Sequence, residues 1–442
     1  MGKHNIEKYS VQFRLLLHWG KPFHDCLYSR VHVFNKPKKI KHPHIYASNH
    51  QNALMDALAL IFSVNRMQVF LARSDIFKKR IIAALLYQIK ILPIFRIRDG
   101  FENLKNNDEV FENSVRVLNH PRTLSMFAEG SHAGYKRLRP LQKGFARIAF
   151  QAIEERDDNE PFYIVPIGLE YEHYEKFGTE QIVNFGDPFE ISEYYETYKE
   201  SPAQGLTDLR DRLSEEIKKL IIHIDSKRWY SLILRLTDWN RAMLRGKNKK
   251  AKTIFESNQK LASKLSELED NDKRALELEE KCQTLDKLLV KSKLNVNETA
   301  TKSNILKNIL LLVICLPLLV ISLPALILFG WLFCFIRNKV NKKIKDPQFR
   351  TSVRFAIYVI LSILFAFIIS FLALFLISWK AYLLSIAAII ITSVIGLRIA
   401  PFYKKIILRL RTGVLHLFGH KRTKEIINLR DEIFEQLIHI NR

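Results

Sequence analysis

Three apolar runs near the C-terminal end constrain this chain more than any other feature. Ile309–Ile336 has 28 residues and contains Pro317 and Pro324; Phe355–Ser378 has 24; Ala381–Ile395 has 15. The third extends to Ala400 if Arg398 snorkels. A helix needs about 20 apolar residues to cross a bilayer. The second run, 355–378, therefore predicts a transmembrane helix, and 381–400 predicts another. Only Trp379 and Lys380 lie between them, so they form a tight hairpin. Between Arg337 and Arg354 stand seven Lys or Arg against one acid, Asp346. Lys404, Lys405, Arg409 and Arg411 follow the third run. Excess Lys and Arg marks the cytoplasmic side, so both flanks are expected there. The first run must then enter and leave on one side if the preceding chain is also cytoplasmic. Two prolines near its middle suit a re-entrant pair of short arms over 309–336. The alternative is one kinked span with the preceding chain outside. A unit that large would want an export signal, and "MGKHNIEKYSVQFRLLLHWG" has neither a long apolar core nor a small-residue cleavage site.

The formal net charge is +24 and the pI about 9.7, which calls for polyanionic partners. Nucleic acid is not expected among them. Zinc-finger spacing and RNP-type aromatic motifs are missing, and the apolar runs point to lipid. Cys26, Cys282, Cys315 and Cys334 are scattered. They suggest neither a disulfide framework nor a metal site.

Ahead of the membrane region the chain changes character twice. Residues 1–40 mix apolar and basic side chains. Val11, Leu15, Leu16 and Trp19 fall at helical spacing, as in a helix lying in the membrane interface or packed on the main domain. Residues 41–200 alternate short apolar strands with helical stretches. "MQVFLAR", "ILPIFRI", "TLSMFAEG" and "FYIVPIGLEY" read as strands; "FKKRIIAALLYQI", "NDEVFENSVRVLNH" and "KGFARIAFQAIEE" read as helices. Such alternation predicts an α/β fold with a largely parallel sheet flanked by helices. Residues 201–300 read as a polar helical hairpin or coiled coil packed on that unit, with Leu206, Leu209, Leu213 and Ile217 on one face. Residues 401–442 read as basic cytoplasmic tail helices.

Within the α/β part, "YASNHQNALMDALAL" holds His50 and Asp56 with five residues between them. On one continuous helix, residues six apart lie on different faces. The two side chains can meet only if His50 ends a strand and Asp56 sits in the first turn of the next helix. "SNHQN" is turn-rich and Asn52 suits a helix N-cap. A histidine oriented by a carboxylate takes a hydroxyl proton near neutral pH. The plainer reading is a turn histidine beside a helix-start aspartate.

Three further stretches carry candidates. In "LPIFRIRDG", Arg96 and Arg98 share a strand face and suit a phosphate clamp, or a surface pair balanced by Asp99 or Glu102. In "MFAEGSHAGYKRLRPLQKG", Glu129 and Gly130 end a strand. A loop with Lys136, Arg137, Arg139 and Lys143 then leads into a helix. Glu129 could anchor a substrate hydroxyl or hold the arginines, and the loop could hold a phosphate. In "IVPIGLEY", Pro166 marks a strand near the sheet end.

Their order resembles the four blocks of the glycerolipid acyltransferase family, which includes lysophosphatidate and glycerol-3-phosphate acyltransferases. His50…Asp56, Arg96, Glu129-Gly130 and Val165-Pro166-Ile167 stand in sequence. "FAEGS", ending in Ser131, resembles the family's FPEGT block with Ala128 in place of proline. Most members have four residues between histidine and aspartate. The five seen here, the polar insert, the membrane segments and "KDPQFRTSVRF" resemble the fungal glycerol-3-phosphate/dihydroxyacetone-phosphate branch. The resemblance implies catalysis by His50 and Asp56. It implies substrate binding by Arg96, Glu129, Gly130 and Ser131, with Lys143 a further phosphate candidate. The implied reaction moves an acyl chain from acyl-CoA or acyl carrier protein to a glycerol-3-phosphate-type acceptor, with no cofactor. A lysophosphatidate or amino-lipid acceptor, or an inactive membrane scaffold, is the alternative. The implied setting is an integral membrane protein whose catalytic domain faces the cytoplasm, in a bacterial inner membrane or the endoplasmic reticulum.

Overall fold

The computed structural model describes residues 6, 8, 10–38, 40–95, 106–119, 123–156, 160–300, 304–376, 378–418 and 421–441. The chain divides into two compact units. One comprises Met1–Ile221 together with Asp346–Ser352; the other comprises Ile222–Lys345 and Val353–Arg442.

The first unit is built on an eight-stranded sheet: β1 Arg30–Phe34, β2 His44–Ser48, β3 Gln68–Arg73, β4 Ile91–Ile94, β5 Thr123–Phe127, β6 Tyr163–Tyr171, β7 Glu180–Phe185 and β8 Phe189–Glu190. Its order is β1-β7-β6-β2-β5-β3-β4, with β8 beside β6. The run β6-β2-β5-β3-β4 is parallel, as the alternation of strands and helices requires. β7 and β8 run antiparallel to β6, and β1 follows β7 in parallel. All five residues of β2 are buried because both faces of the sheet are covered. The stretch read as purely helical, 1–40, therefore contains an edge strand. β1 is partly exposed along its length, so it lacks the apolar run that marks a central strand.

Helices cover the sheet: α1 Val11–Leu15, α2 Lys21–Leu27, α3 Ala53–Val64, α4 Arg80–Gln88, α5 Asn106–Leu118, α6 Gly144–Glu154, α7 Ser192–Glu200 and α8 Pro202–Leu220. Phe145, Ile148, Ala149 and Phe150 of α6 meet Ile45, Leu124 and Ile164 in one core with Leu209, Leu213 and Ile217 of α8. α8 thus belongs to the sheet unit. Gly168 permits its close approach, since a Cβ there would lie 2.2 Å from the Leu220 carbonyl oxygen. The N-terminal helices pack on the domain: Gly20 sits against Phe62 of α3, and the Ser10 hydroxyl donates to the Gln88 carbonyl of α4 at 2.7 Å. Val11 and Leu15 of α1, and Ile81, Ile82 and Leu85 of α4, stay exposed.

The second unit contains α9 Tyr230–Gly246, α10 Ala251–Ser266, α11 Lys273–Ser292, α12 Val296–Thr299, α13 Ile305–Lys343, α14 Pro347–Leu376, α15 Trp379–Leu417 and α16 Lys421–Asn441. The first turn of α14 lies in the sheet unit. The polar helices α9 to α11 form a bundle with α16. Trp239, Leu261, Cys282, Leu285, Ile433 and Leu437 are buried in this unit, and the Trp239 and Phe434 rings meet at 5.8 Å. The 201–300 stretch is thus divided between the two units, and the tail is recruited to the second.

The run 309–336 is one helix, α13, rather than two re-entrant arms. A proline removes a single intrahelical bond, and an apolar helix tolerates that where its other residues favour helix. Ile305–Leu323 of α13 and Pro347–Leu372 of α14 are long and apolar enough to cross a membrane. The run 355–378 falls mostly in α14, and 381–400 falls within α15.

Candidate active site

Strands β6, β2 and β5 are neighbours in register: Ser48 lies opposite Ile167 on one side and Phe127 on the other. Their C-terminal ends therefore share one edge of the sheet, where open α/β sheets bind ligands. His50 follows β2 by two residues, Glu129 follows β5 by two, and Tyr171 ends β6.

The turn between β2 and α3 brings the predicted pair together. His50 Nδ1 lies 2.7 Å from Asp56 Oδ2. Asp56 is in the first turn of α3, as expected. Asn52 occupies the N-cap position, but its side chain does not cap the helix. The backbone N–H groups of Gln51 and Asn52 instead donate to Asp56 Oδ2, each at 2.7 Å. Ala53 adopts φ 43°, a left-handed conformation rare outside glycine. Ala53 lies within the turn that brings His50 and Asp56 together.

The second Asp56 oxygen is also committed. The Tyr171 hydroxyl donates to Oδ1 at 2.6 Å and accepts from Gln181 Nε2 at 3.1 Å. Burial, reinforced by the Asp56 charge, pushes the Tyr171 hydroxyl well above its ordinary pKa, so it keeps its proton and donates. Asp56 is fully buried and accepts four hydrogen bonds. A carboxylate oxygen accepts, so Nδ1 is the ring nitrogen that faces Asp56 and Nε2 lies on the far side of the ring. The imidazole stacks on Phe127 at 4.0 Å and 9°, which fixes the ring plane. Its side chain is 14% exposed, enough for a substrate to reach it.

Glu129 is buried and holds the loop from the other side. Its Oε1 accepts the His50 backbone N–H at 2.8 Å, and its Oε2 accepts from Arg139 Nε at 2.8 Å. Burial raises its pKa, and these two donors oppose the rise. Arg139 also donates to the Ser131 hydroxyl at 3.0 Å and to the Ser131 carbonyl. Glu129 therefore holds an arginine, the second of the roles considered for it. Gly130 adopts φ 67°, the left-handed geometry that favours glycine. Ala133 N–H donates to the His50 carbonyl at 3.0 Å, closing the two loops on each other.

Arg96 and Arg98 are outside the described residues. The Lys143 ammonium reaches Thr207 of α8 at 2.7 Å, away from the His50 loop. Lys136 is buried, pairs with Glu170 and donates to the Tyr171 carbonyl, so it braces the loop rather than offering a free charge. Sequence reasoning missed Tyr171, Phe127 and His132, whose ring stands at 85° to His50 with centroids 5.4 Å apart. Tyr171 ends "IVPIGLEY", and His132 lies two residues after Gly130; neither position betrays a side chain turned toward His50.

A family model described as Acyltransferase matches residues 30–170, the stretch that carries His50, Asp56 and Glu129. The chain is 27% identical over 113 residues to glycerol-3-phosphate O-acyltransferase 2 of Saccharomyces cerevisiae, covering 25% of this chain. It is 29% identical over 116 residues to glycerol-3-phosphate O-acyltransferase 1 of the same yeast, covering 26%. Each match spans 15% of the relative's own length. The solved 1-acyl-sn-glycerophosphate (LPA) acyltransferase PlsC of Thermotoga maritima aligns with TM-score 0.34 and 18% identity, over 47% of this chain and 77% of that one. The stretch that carries His50, Asp56 and Glu129 thus falls inside a match to the Acyltransferase family, and part of the chain is similar to two yeast glycerol-3-phosphate O-acyltransferases.

Proposed function

We propose that this acyltransferase is membrane-bound and moves an acyl chain from an acyl-CoA or acyl carrier protein thioester to a hydroxyl of a glycerol-3-phosphate-type acceptor. The observation that carries this reading is the His50–Asp56 contact at 2.7 Å on the shared edge of β6, β2 and β5. His50 Nε2 takes the acceptor's hydroxyl proton as its oxygen attacks the thioester carbonyl. The tetrahedral intermediate collapses, the C–S bond breaks, and the imidazolium returns its proton to the departing thiolate. Asp56 holds the tautomer and steadies the imidazolium. The acceptor oxygen is itself the nucleophile, so no acyl-enzyme forms. Arg96 is the proposed ligand of the acceptor phosphate.

A panel of glycerol-3-phosphate, dihydroxyacetone phosphate, lysophosphatidate and an amino-lipid precursor, each with labelled acyl-CoA and acyl carrier protein, tests this. Glycerol-3-phosphate is the expected acceptor, and Arg96→Ala is expected to raise its KM with kcat nearly kept. Transfer only to a lysolipid would move the acceptor assignment. No transfer to any acceptor would favour a scaffold.

Membrane attachment is supported by the two lipid-length helices and by the exposed apolar side chains of α1 and α4. Asp346–Ser352 packs within the unit formed by Met1–Ile221, and the chain after Ile221 continues into the polar helices. Among the described residues no lipid-length helix lies between Ile221 and Asn304. On that connectivity the single helix α13 lies along the membrane with both ends on one side, and the basic flanks make that side cytoplasmic. Single cysteines at Asn304 and Lys345 in a variant lacking the native cysteines should react with an impermeant reagent from one side of sealed vesicles. Labelling from opposite sides would show that α13 crosses.

A further inference from the structure

The first turn of α14 joins the sheet unit, 299 residues along the chain from the loop it touches. Thr351 has no exposed surface, and its hydroxyl donates to Asn52 Oδ1 at 2.8 Å. Asn52 is equally buried and is held at its other end by the Tyr174 carbonyl, which accepts from Nδ2 at 3.0 Å. The backbone N–H of this same asparagine donates to Asp56 Oδ2. The residue that helps hold the carboxylate is thus gripped through its side chain by α14. A buried amide oxygen that loses its donor finds no water to replace it.

The same turn reaches the other side of the imidazole. Asp346 Oδ2 lies 3.2 Å from His132 Nε2, and the Phe349 ring stands edge-on to His132 at 4.6 Å. His132 in turn stands perpendicular to His50 at 5.4 Å. Burial, then the neighbouring His50, lower the His132 pKa, and Asp346 opposes this in part. The carboxylate accepts from Nε2–H and so fixes the tautomer and the ring. Arg350 adds an ion pair to Glu175 at 3.4 Å.

We propose that Thr351 and Asp346 are positioning residues for acyl transfer, Thr351 by fixing the Asn52 corner of the base loop and Asp346 by fixing His132 beside His50. The proposal rests on the reading of His50 as the base. Neither side chain touches the reacting atoms in this account; each acts through a neighbour. A helix long enough to cross a membrane thereby lends its first turn to the catalytic loop. Misplacing a catalytic group by an ångström costs on the order of a hundredfold in rate.

The test uses the full chain in detergent or lipid, with Thr351→Val, Thr351→Ser and Asp346→Asn. Thr351→Val keeps the shape and removes the donor. We expect its kcat to fall between roughly tenfold and a hundredfold with both KM values nearly unchanged, and Thr351→Ser to restore it. Amide exchange over residues 50–56 should quicken in Thr351→Val and not in Thr351→Ser, with the sheet unaffected. Asp346→Asn alters a side chain that is 44% exposed, so misfolding would not explain its smaller fall in kcat. Wild-type kcat in both Thr351→Val and Asp346→Asn overturns the proposal, whatever exchange shows. If the wild-type protein transfers no acyl group, the functional reading fails and exchange alone decides. Local acceleration in Thr351→Val then supports Thr351 as the residue that fixes the 50–56 loop, and unchanged exchange overturns that role.

Discussion

His50→Ala is expected to lower acyl transfer by about a thousandfold or more while the protein stays folded and membrane-bound. A positioned general base contributes typically ~10² to 10⁴ in rate. Here the proposed base is held in place within the fold: Nδ1 is pinned by Asp56 and the ring plane is set by Phe127. The loop does not depend on the side chain that the substitution removes. The His50 backbone N–H still donates to Glu129, and its carbonyl still accepts from Ala133. Thermal unfolding and membrane fractionation should therefore change little, and the loss should fall on kcat. Turnover within tenfold of wild type in a purified variant would remove His50 from the mechanism. His132 would then be the next base to test, because its ring is the other imidazole at the site.

The His50–Asp56 loop was legible because local rules and chemistry agreed. A buried central strand reads as an unbroken apolar run, and turn-rich "SNHQN" followed by an apolar helix leaves few choices. Physical reasoning required His50 and Asp56 to straddle a strand–helix turn, and they do. The mechanism of the turn was not legible. Asn52 has the composition of a cap, yet Asp56 accepts the N–H groups of Gln51 and Asn52, and the asparagine side chain goes to Thr351 and Tyr174. β1 and β7 escaped notice for a different reason. β1 is a partly exposed edge strand, and both run against the direction that strand–helix alternation predicts. The two ends of the Asp56 network show the limit most plainly. Tyr171 lies 115 residues from Asp56, and Thr351 lies 299 from Asn52. No periodicity or propensity connects such positions, so only the folded chain reveals them.

Asp56→Asn should separate what the aspartate does by shape from what it does by charge. Its carboxylate is fully buried, with three donors on Oδ2 and the Tyr171 hydroxyl on Oδ1. An asparagine can place its amide oxygen where Oδ2 stands and keep the three donors. Its NH2 then faces Tyr171, whose hydroxyl must turn and give its proton elsewhere. Gln181 allows this, because its Oε1 is buried without a partner and a rotation of the amide presents it to Tyr171. The fold should survive, with only a modest loss of thermal stability. The imidazolium formed during transfer would then face a neutral amide instead of a buried negative charge. A kcat lower by roughly 10² to 10⁴ is expected, in line with the effect of neutralising the aspartate in serine-protease triads. Tyr171→Phe supplies the comparison. It keeps the charge and removes one donor to it, so the expected fall is about tenfold, in keeping with one hydrogen bond to a charged group. If Asp56→Asn instead retained kcat within tenfold of wild type, the carboxylate would be a cap for the loop, and the orientation of His50 would rest on Phe127 and Glu129.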